Sequence, residues 1–480
     1  MMRFFFTFAF VLLAGVVFAS ENVMFEDLSE ALGLDLENKA ACWVDVDNDG
    51  WPDIVTGGVY WRNDEGRRFT KEQEGLGSVV AADYDNDGFT DLFSYRNDSR
   101  ALFRNEGGKR FVEVDLPEIP ELASRAACWG DFNGDGFVDI YLGGYENWKE
   151  QLTFSNVVLI NEGGKGFKVA KVDAGFRTRG VSACDFDRKN GIDIYVSNYR
   201  LQANQLFVND GKGEFRDEAE KYGVVATSGR FKGGHSIGAT WGDFDNDGWM
   251  DIFAGNFAHV DKRGDQPKSR FLKNRSAEGE AFEDLGACGI FYQESYASPA
   301  TADYDNDGKL DLFFTTVYEN ARKGPEAEKG VNNPVLFRQS GEWKFEDVSE
   351  GVRLEKLPPT YQAAWGDFNR DGHLDLVTAG KLYVNTGGSG NWLAVRLAGD
   401  GREVNRSAIG AQVRLSLGDE VLTRQVEAGT NEGNQNELVL HFGLGNRRDP
   451  VDLEILWPNG EVQKIKNVEP GKLRTVIFGE

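Results

Sequence analysis

The sequence predicts an all-β chain: a seven-bladed β-propeller built from calcium-loop hairpins and closed by its own N-terminal strand, followed by a small C-terminal β-sandwich. Three observations carry this expectation. An acidic nine-residue loop recurs seven times, a tight strand-turn-strand follows it, and helical periodicity is nearly absent.

The acidic loop carries the chemistry. Its first copy is DVDNDGWPD, from Asp45 to Asp53. Asp45, Asp47 and Asp49 occupy positions 1, 3 and 5, Gly50 follows where the chain must turn sharply, and Asp53 returns at position 9. Hard oxygen ligands at alternating positions suit Ca2+, and the backbone carbonyl of Trp51 supplies a further oxygen. A helix-flanked calcium loop would need a glutamate at position 12. Thr56 stands there, after the β-branched Ile54 and Val55, so the loop belongs to a β-hairpin.

The same spacing predicts five further ligand sets. They are Asp83, Asp85, Asp87 and Asp91; Asp131, Asn133, Asp135 and Asp139; Asp243, Asp245, Asp247 and Asp251; Asp303, Asp305, Asp307 and Asp311; and Asp367, Asn369, Asp371 and Asp375. Six intact loops predict about six structural Ca2+ ions. The remaining copy, Asp185 to Asp193, is altered: Lys189 stands at position 5 and the glycine is displaced to Gly191. It is expected to keep the fold without the metal, the lysine ammonium standing in for the ion.

Successive first aspartates lie 38, 48, 54, 58, 60 and 64 residues apart, a period typical of propellers. Leu102 to Val114, Val158 to Ala170 and Leu206 to Glu218 are strands around Asn-Glu-Gly-Gly or Asn-Asp-Gly, which are hairpin signals. One repeat therefore reads as strand, acidic loop, strand, variable loop, strand, hairpin, strand: one blade. Residues 23 to 34 look like the fourth strand of other repeats, as in Phe215 to Val224, while the last repeat stops after Lys381 to Asn385. The N-terminus is thus expected to complete the seventh blade and leave no open sheet edge. Trp43, Trp129, Trp241 and Trp365 all lie two residues before a first aspartate, which makes them core between blades rather than a ligand-stacking set.

This pattern resembles the FG-GAP/VCBS repeats, the calcium-loop blades of integrin α-subunit propellers, over about residues 23 to 390. The tail alternates apolar and polar residues in Ala411 to Leu417 and Val451 to Trp457, with turns at Gly418-Asp419 and Pro458-Asn459-Gly460, as in a small sandwich. Its stretches Asn405 to Leu415, His441 to Gly445 and Leu456 to Gln463 resemble the ASPIC/UnbV domain. Together the two halves make the chain similar to the cartilage acidic protein family, in a bacterial-type form. One departure stands out: Thr430 to Gln435 reads TNEGNQ, where the resemblance implies an aromatic-serine segment.

The chain opens with Arg3, an apolar run from Phe4 to Val17 and small residues to Ala19, the pattern of a secretory signal peptide. The run is short for a membrane span, although an uncleaved anchor is the alternative. The expected organisation is therefore a signal peptide at 1–19, a propeller at 20–390 and an ASPIC/UnbV-like domain at 391–480. The expected location is secreted, extracellular or periplasmic, without membrane insertion after cleavage. The formal charge is −25, and the seven loops alone hold 25 aspartates. No basic patch serves nucleic acid, which is excluded as a partner. Cys42 and Cys128 share one place in their repeats, filled later by Ala300 and Ala364, so they read as small buried residues rather than a disulfide. Cys184 and Cys288 complete the set of four.

If the acidic loops share one face, the long loops of the middle repeats lie on the other. They hold Tyr145, Trp148, Arg200, His235, His259, Tyr292, Tyr296 and Tyr318, a polar-aromatic set expected as a ligand face. The plainer reading is that these loops only cap the channel. No nucleophile elbow, HExxH, P-loop or dinucleotide motif is present, and no catalytic residue is assigned. His235 and His259 are the one pair worth testing as acid/base or metal groups. His373, at position 7 of its loop, is expected to be solvated, and His441 to pack or bond locally. Asn97, Asn274 and Asn405 head glycosylation sequons, and Arg263-Gly264-Asp265 is an adhesion tripeptide by letter. The function read from these features is a monomeric, calcium-stabilised binding or adhesion module for a protein or glycan. The alternative is a calcium-dependent lyase or cyclase using Arg200, His235 or a tyrosine of the long-loop face.

Overall fold

The computed structural model describes residues 23–480 apart from 96–99, 120–122, 174, 190, 262–263 and 320–330. The segment read as a signal peptide, together with Asn97 and Arg263, lies outside the described residues. Among the described residues no helix is long and apolar enough to cross a membrane.

Short, wholly apolar runs such as Ala41–Val44 and Val79–Ala82 can only be satisfied when both faces are covered. They form the innermost strands of seven four-stranded antiparallel sheets. In the first sheet the order is Ala41–Val44, Asp53–Thr56, Val59–Asn63 and Phe69–Gln73, with the acidic loop joining strands one and two and the tight hairpin joining three and four. The later innermost strands are Ser124–Gly130, Thr178–Cys184, Ala239–Gly242, Tyr296–Ala302 and Ala363–Gly366. Each lies beside the next, and Ala363–Gly366 lies beside Ala41–Val44. This is the arrangement of a β-propeller. In the seventh sheet the outer strand is Phe25–Asp27, antiparallel to Lys381–Asn385 with Phe25 opposite Asn385.

Two kinds of side chain fasten neighbouring sheets. The tryptophans before the loops are buried, and Trp43 Nε1 donates to the Ala364 carbonyl across the first-to-last junction at 3.1 Å. Trp365 donates likewise to Ala300 and Trp241 to Ser182, both at 3.4 Å. The asparagine that opens six of the seven hairpins, replaced by Gln339 in the sixth, is a clamp as well as a turn residue. Asn63 N–H donates to Asp53 at 2.6 Å, and its amide donates to the Phe368 carbonyl of the seventh sheet at 2.8 Å. Asn105, Asn161, Asn209, Asn274 and Asn385 repeat the pattern onto the sheet before their own. Asn274 and Asn405 are therefore buried and engaged, which removes both sequons from the folded surface. The four cysteines are free, and Cys42, Cys128 and Cys184 are buried.

The C-terminal strands form two sheets over one apolar core. Asn391–Ala398 is flanked by Leu440–Gly445 and, in parallel, by Leu473–Ile477, opposite a four-stranded sheet centred on Gln412–Leu417 and Val451–Leu456. Leu393, Val395, Val413 and Ile455 share a continuous cluster with Trp129, Phe132 and Val181 of the propeller.

From this part the polar hairpin Thr430–Glu437 enters the propeller channel. Innermost strands present unpaired backbone groups to the axis, a cost that water or a polar segment must meet. The hairpin meets it. Trp43 N–H donates to the Gln435 carbonyl, Trp129 N–H to Ala428 and Val181 N–H to Asn431, at 3.1, 2.9 and 3.1 Å. The Gln435 amide exchanges two bonds with Ala81, at 2.8 and 3.1 Å, while Asn431 donates to Pro299 and Asn434 to Tyr361, both at 2.8 Å. The TNEGNQ stretch is thus a channel plug.

Phe25→Ala is expected to destabilise the chain by about 3–5 kcal/mol, as loss of a fully buried aromatic does, read by urea or thermal unfolding. Gly433 has φ +85° and a Cβ there would lie 1.7 Å from the Tyr95 hydroxyl. Gly433→Ala should cost about 1–3 kcal/mol from the backbone alone and expose the C-terminal part to limited proteolysis.

Candidate metal loops and the opposite face

In each acidic loop the carboxylates first organise the backbone. Asp83 accepts from Asp87 N–H at 3.1 Å and Gly88 N–H at 2.8 Å, while Asp91 accepts from Asn105 N–H and Tyr84 N–H at 2.8 and 3.1 Å. This leaves the carboxylates converging on one point. Ligand oxygens of Asp45, Asp47 and Asp49 lie within 4.8 Å of one another, as do those of Asp83, Asp85 and Asp91, of Asp243, Asp245 and Asp251, and of Asp303, Asp305 and Asp311. Each of these clusters can hold a metal ion. The third and seventh loops carry Asn133 and Asn369 at position 3, so their acids are fewer.

The donor set fits a hard cation. Asp45 Oδ1, Asp243 Oδ1 and Asp305 Oδ1 are buried without a hydrogen-bond donor, a cost that a bound cation would remove. Burial raises the Asp45 carboxyl to about 6, Asp83 to about 7 and Asp91 to about 9, and neighbouring aspartates push in the same direction. The altered loop also gathers Asp185, Asp187 and Asp193 within 4.8 Å, and Lys189 Nζ lies 3.2 Å from Asp187.

Position 4 of the loop, which the sequence pattern left unassigned, links the loops to one another. It is left-handed in every copy: Asn48, Asn86, Asn246 and Asn306 have φ of 57–59°, Arg188 and Arg370 have 56°, and Gly134 has 70°. In that conformation the side chain points to the next loop. Asn48 donates to the Gly88 carbonyl at 2.7 Å, Asn86 to Gly136 at 2.9 Å, Asn246 to Gly308 at 3.3 Å and Asn306 to Gly372 at 2.9 Å. Arg188 reaches Gly248, and Arg370 closes the circle on Gly50 at 2.8 Å. Gly134 has no side chain, so the third loop makes no such link to the fourth.

The C-terminal sheets cover this ring and address its position-1 aspartates. Arg396 lies 3.1 Å from Asp45, Ser407 Oγ accepts from Asp83 N–H at 3.0 Å, Thr423 N–H donates to Asp243 at 2.9 Å and Gly443 N–H to Asp303 at 3.0 Å. One histidine expectation is met here and one is corrected. His441 packs, its ring stacked on Trp392, while its Nε2 pairs with the distant Asn306 Oδ1 at 2.6 Å. His373 is half-buried beside Asn306 Nδ2 rather than solvated, and burial lowers its pKa.

On the opposite side the structure sorts the proposed ligand face. Tyr296 is core, stacked on Phe314 at 4.1 Å, because its strand turns the ring between sheets. His235 is buried too, 4.9 Å from His259 between ring centroids, so the pair separated in sequence does meet. His259 Nδ1 pairs with Glu294 at 2.8 Å, and Tyr199 Oη lies 3.4 Å from His259 Nε2. Tyr292 donates to Ala258, Tyr318 is half-exposed against Phe257, and Arg200 stacks on the exposed Trp148 while bonding Glu146. Tyr145 lies over Arg179, a residue the sequence reading missed. Tyr199 and Tyr361 also face Arg179, which forms a buried ion pair with Glu432 of the plug. Arg125 holds the same place in the preceding repeat and also lies over Tyr145, but only Arg179 meets the plug carboxylate.

Comparison with known proteins agrees with this architecture. Residues 83–142, 185–254 and 303–378 match the FG-GAP-like repeat, and residues 401–479 match the ASPIC and UnbV domain. Human cartilage acidic protein 1 is 26% identical over 445 residues, covering 83% of this chain and 62% of the relative; the mouse protein is 28% identical over 431 residues, covering 80% and 61%. The chain thus spans about three-fifths of the length of these curated relatives. Among solved structures, an Agrocybe aegerita lectin that recognises non-reducing terminal N-acetylglucosamine overlaps 67% of this chain and 82% of its own, at 16% identity and a TM-score of 0.41. Bacillus licheniformis rhamnogalacturonan lyase overlaps 95% of this chain and 86% of its own, at 11% identity and 0.38.

The raised carboxyls give a pH dependence with a definite sign. Without metal, the folded state keeps protons on Asp45, Asp83 and Asp91 that the unfolded chain releases near pH 4. Their contribution is complete below that pH and is lost as pH rises through about 6 to 9. In chelator the melting temperature should therefore fall between pH 5 and pH 8, and added calcium should flatten or reverse the slope.

Proposed function

Since the chain joins FG-GAP repeats to an ASPIC/UnbV domain and is homologous to cartilage acidic protein 1 over about four-fifths of its length, we propose that it is a secreted, calcium-stabilised propeller that binds a protein or glycan. The observation that carries the reading is the ring of converging carboxylates with buried oxygens lacking donors. Calcium is structural here, and Asp45, Asp47, Asp49 and Asp53 with their counterparts in the other five intact loops are its ligands. The acidic-loop side is covered and the channel is plugged, so the ligand is received by the long-loop face, around Tyr145, Trp148, Arg200 and Tyr318.

One observation favours a second reading, a calcium-dependent enzyme on that same face. Tyr199, His235, His259 and Glu294 form a contiguous polar array, and His259 has both ring nitrogens engaged. Turnover lost in His259→Gln with metal content and melting temperature retained would establish it.

The deciding measurement for the leading reading is metal content and thermal stability with and without chelator. About six calcium ions per chain and a large fall in melting temperature on chelation are expected. An unchanged melting temperature in EDTA would count against occupied loops.

A further inference from the structure

The acidic loops differ at position 3, and a second residue differs with them. The residue just before the clamp asparagine, or Gln339 in the sixth sheet, faces its own loop. Where position 3 is aspartate and the loop is intact, this residue is basic: Arg62, Arg104, Lys273 and Arg338. In the third and seventh repeats, where position 3 is asparagine, it is apolar: Ile160 and Val384. The altered repeat has Val208 there and carries its cation, Lys189, inside the loop.

The contacts explain the pairing. Lys273 Nζ contacts Asp245 and lies 3.3 Å from Asp247, bridging positions 3 and 5. Arg338 does the same, 2.5 Å from Asp305 and 3.0 Å from Asp307. Lys189 reaches position 3 of its own loop, Asp187, at 3.2 Å. In the two asparagine loops the amide of position 3 takes the place of the base: Asn133 Nδ2 donates to Asp135 at 3.0 Å, and Asn369 Nδ2 to Asp371 at 2.9 Å. Arg62 is tied to Glu72 at 3.1 Å, and Arg104 lies 4.0 Å from Glu106, so the bridging geometry itself is seen at Lys273 and Arg338. Over the four ligand positions and this residue, every intact loop carries a net of three negative charges.

We propose that this strand residue is the counter-charge that sets the calcium affinity of each loop, a fixed cation balancing the fourth carboxylate. The inference rests on the calcium reading above. Affinity of an oxygen site rises with its ligand charge, and a base beside the carboxylates opposes that rise while holding them together when no ion is bound. Lys309 adds a second cation to the sixth loop, 3.1 Å from Asp307, as Arg396 does to the first, 3.1 Å from Asp45, which makes these two loops the weaker of the intact set.

The test counts ions on the full chain by native mass spectrometry across a series of buffered free-calcium concentrations. Lys273→Met should shift one binding step to a free calcium about tenfold or more lower, and reduce the melting temperature in chelator. Asp245→Asn combined with Lys273→Met should return that step towards its original position. Ile160→Lys, at a partly exposed site in an asparagine loop, should move one step the opposite way, so the inference can be judged even if a single variant folds poorly. Ions bound by the parent chain with steps unmoved in the folded variants, or Lys273→Met weakening binding, would overturn the counter-charge. A parent chain that binds no ions would overturn the calcium reading and this inference with it.

Discussion

The innermost strands are the constraint from which the rest follows. A strand at a propeller axis has a sheet partner on one side only, and its remaining N–H and C=O groups point into a channel. Here they are met by side-chain amides and carbonyls of one hairpin, Thr430–Glu437, that arrives from the C-terminal sheets. Gln435, Asn431 and Asn434 each match a backbone donor or acceptor on a different sheet. This is why a segment so poor in apolar residues is buried almost throughout. The plug also fixes the C-terminal part relative to the propeller, and Glu432 at its tip neutralises Arg179 among three tyrosines.

The second constraint is electrostatic. Seven acidic loops on one rim would repel each other unless their charge were answered locally. Three kinds of group answer it within the chain: backbone N–H groups of each loop, bases such as Lys273 and Arg338, and donors from the C-terminal sheets such as Thr423 and Arg396. The position-4 side chains then join loop to loop through single hydrogen bonds. The link missing at Gly134 is the one place where the circle lacks this contact.

These two constraints divide the molecule's faces. The acidic rim is occupied by the C-terminal sheets and has structural work. The long-loop rim keeps exposed aromatics and unequal loops, and it is where variable chemistry can be placed without disturbing the sheets. The clustering of His235, His259, Tyr199 and Glu294 on that rim comes from loops of neighbouring repeats meeting near the axis, not from any local motif.

Repetition made most of the fold legible in the sequence. Seven spaced copies fixed the strand order, the loop geometry, the buried tryptophans and the N-terminal partner for Lys381–Asn385, because in a repeat architecture each copy meets the same neighbours. What occurs once could not be read that way. The ion pair of Arg179 with Glu432, the plug, the core position of Tyr296 and the long-range bond from His441 to Asn306 depend on where chain segments far apart in sequence come to lie. The sequence by itself determined the periodic, locally satisfied parts: carboxylates at alternating positions and apolar strands of fixed spacing. Tertiary structure alone decided the partners of groups that local structure leaves unsatisfied, since an orphaned N–H at the axis or an unscreened aspartate is answered by whatever polar group the closed ring brings within reach.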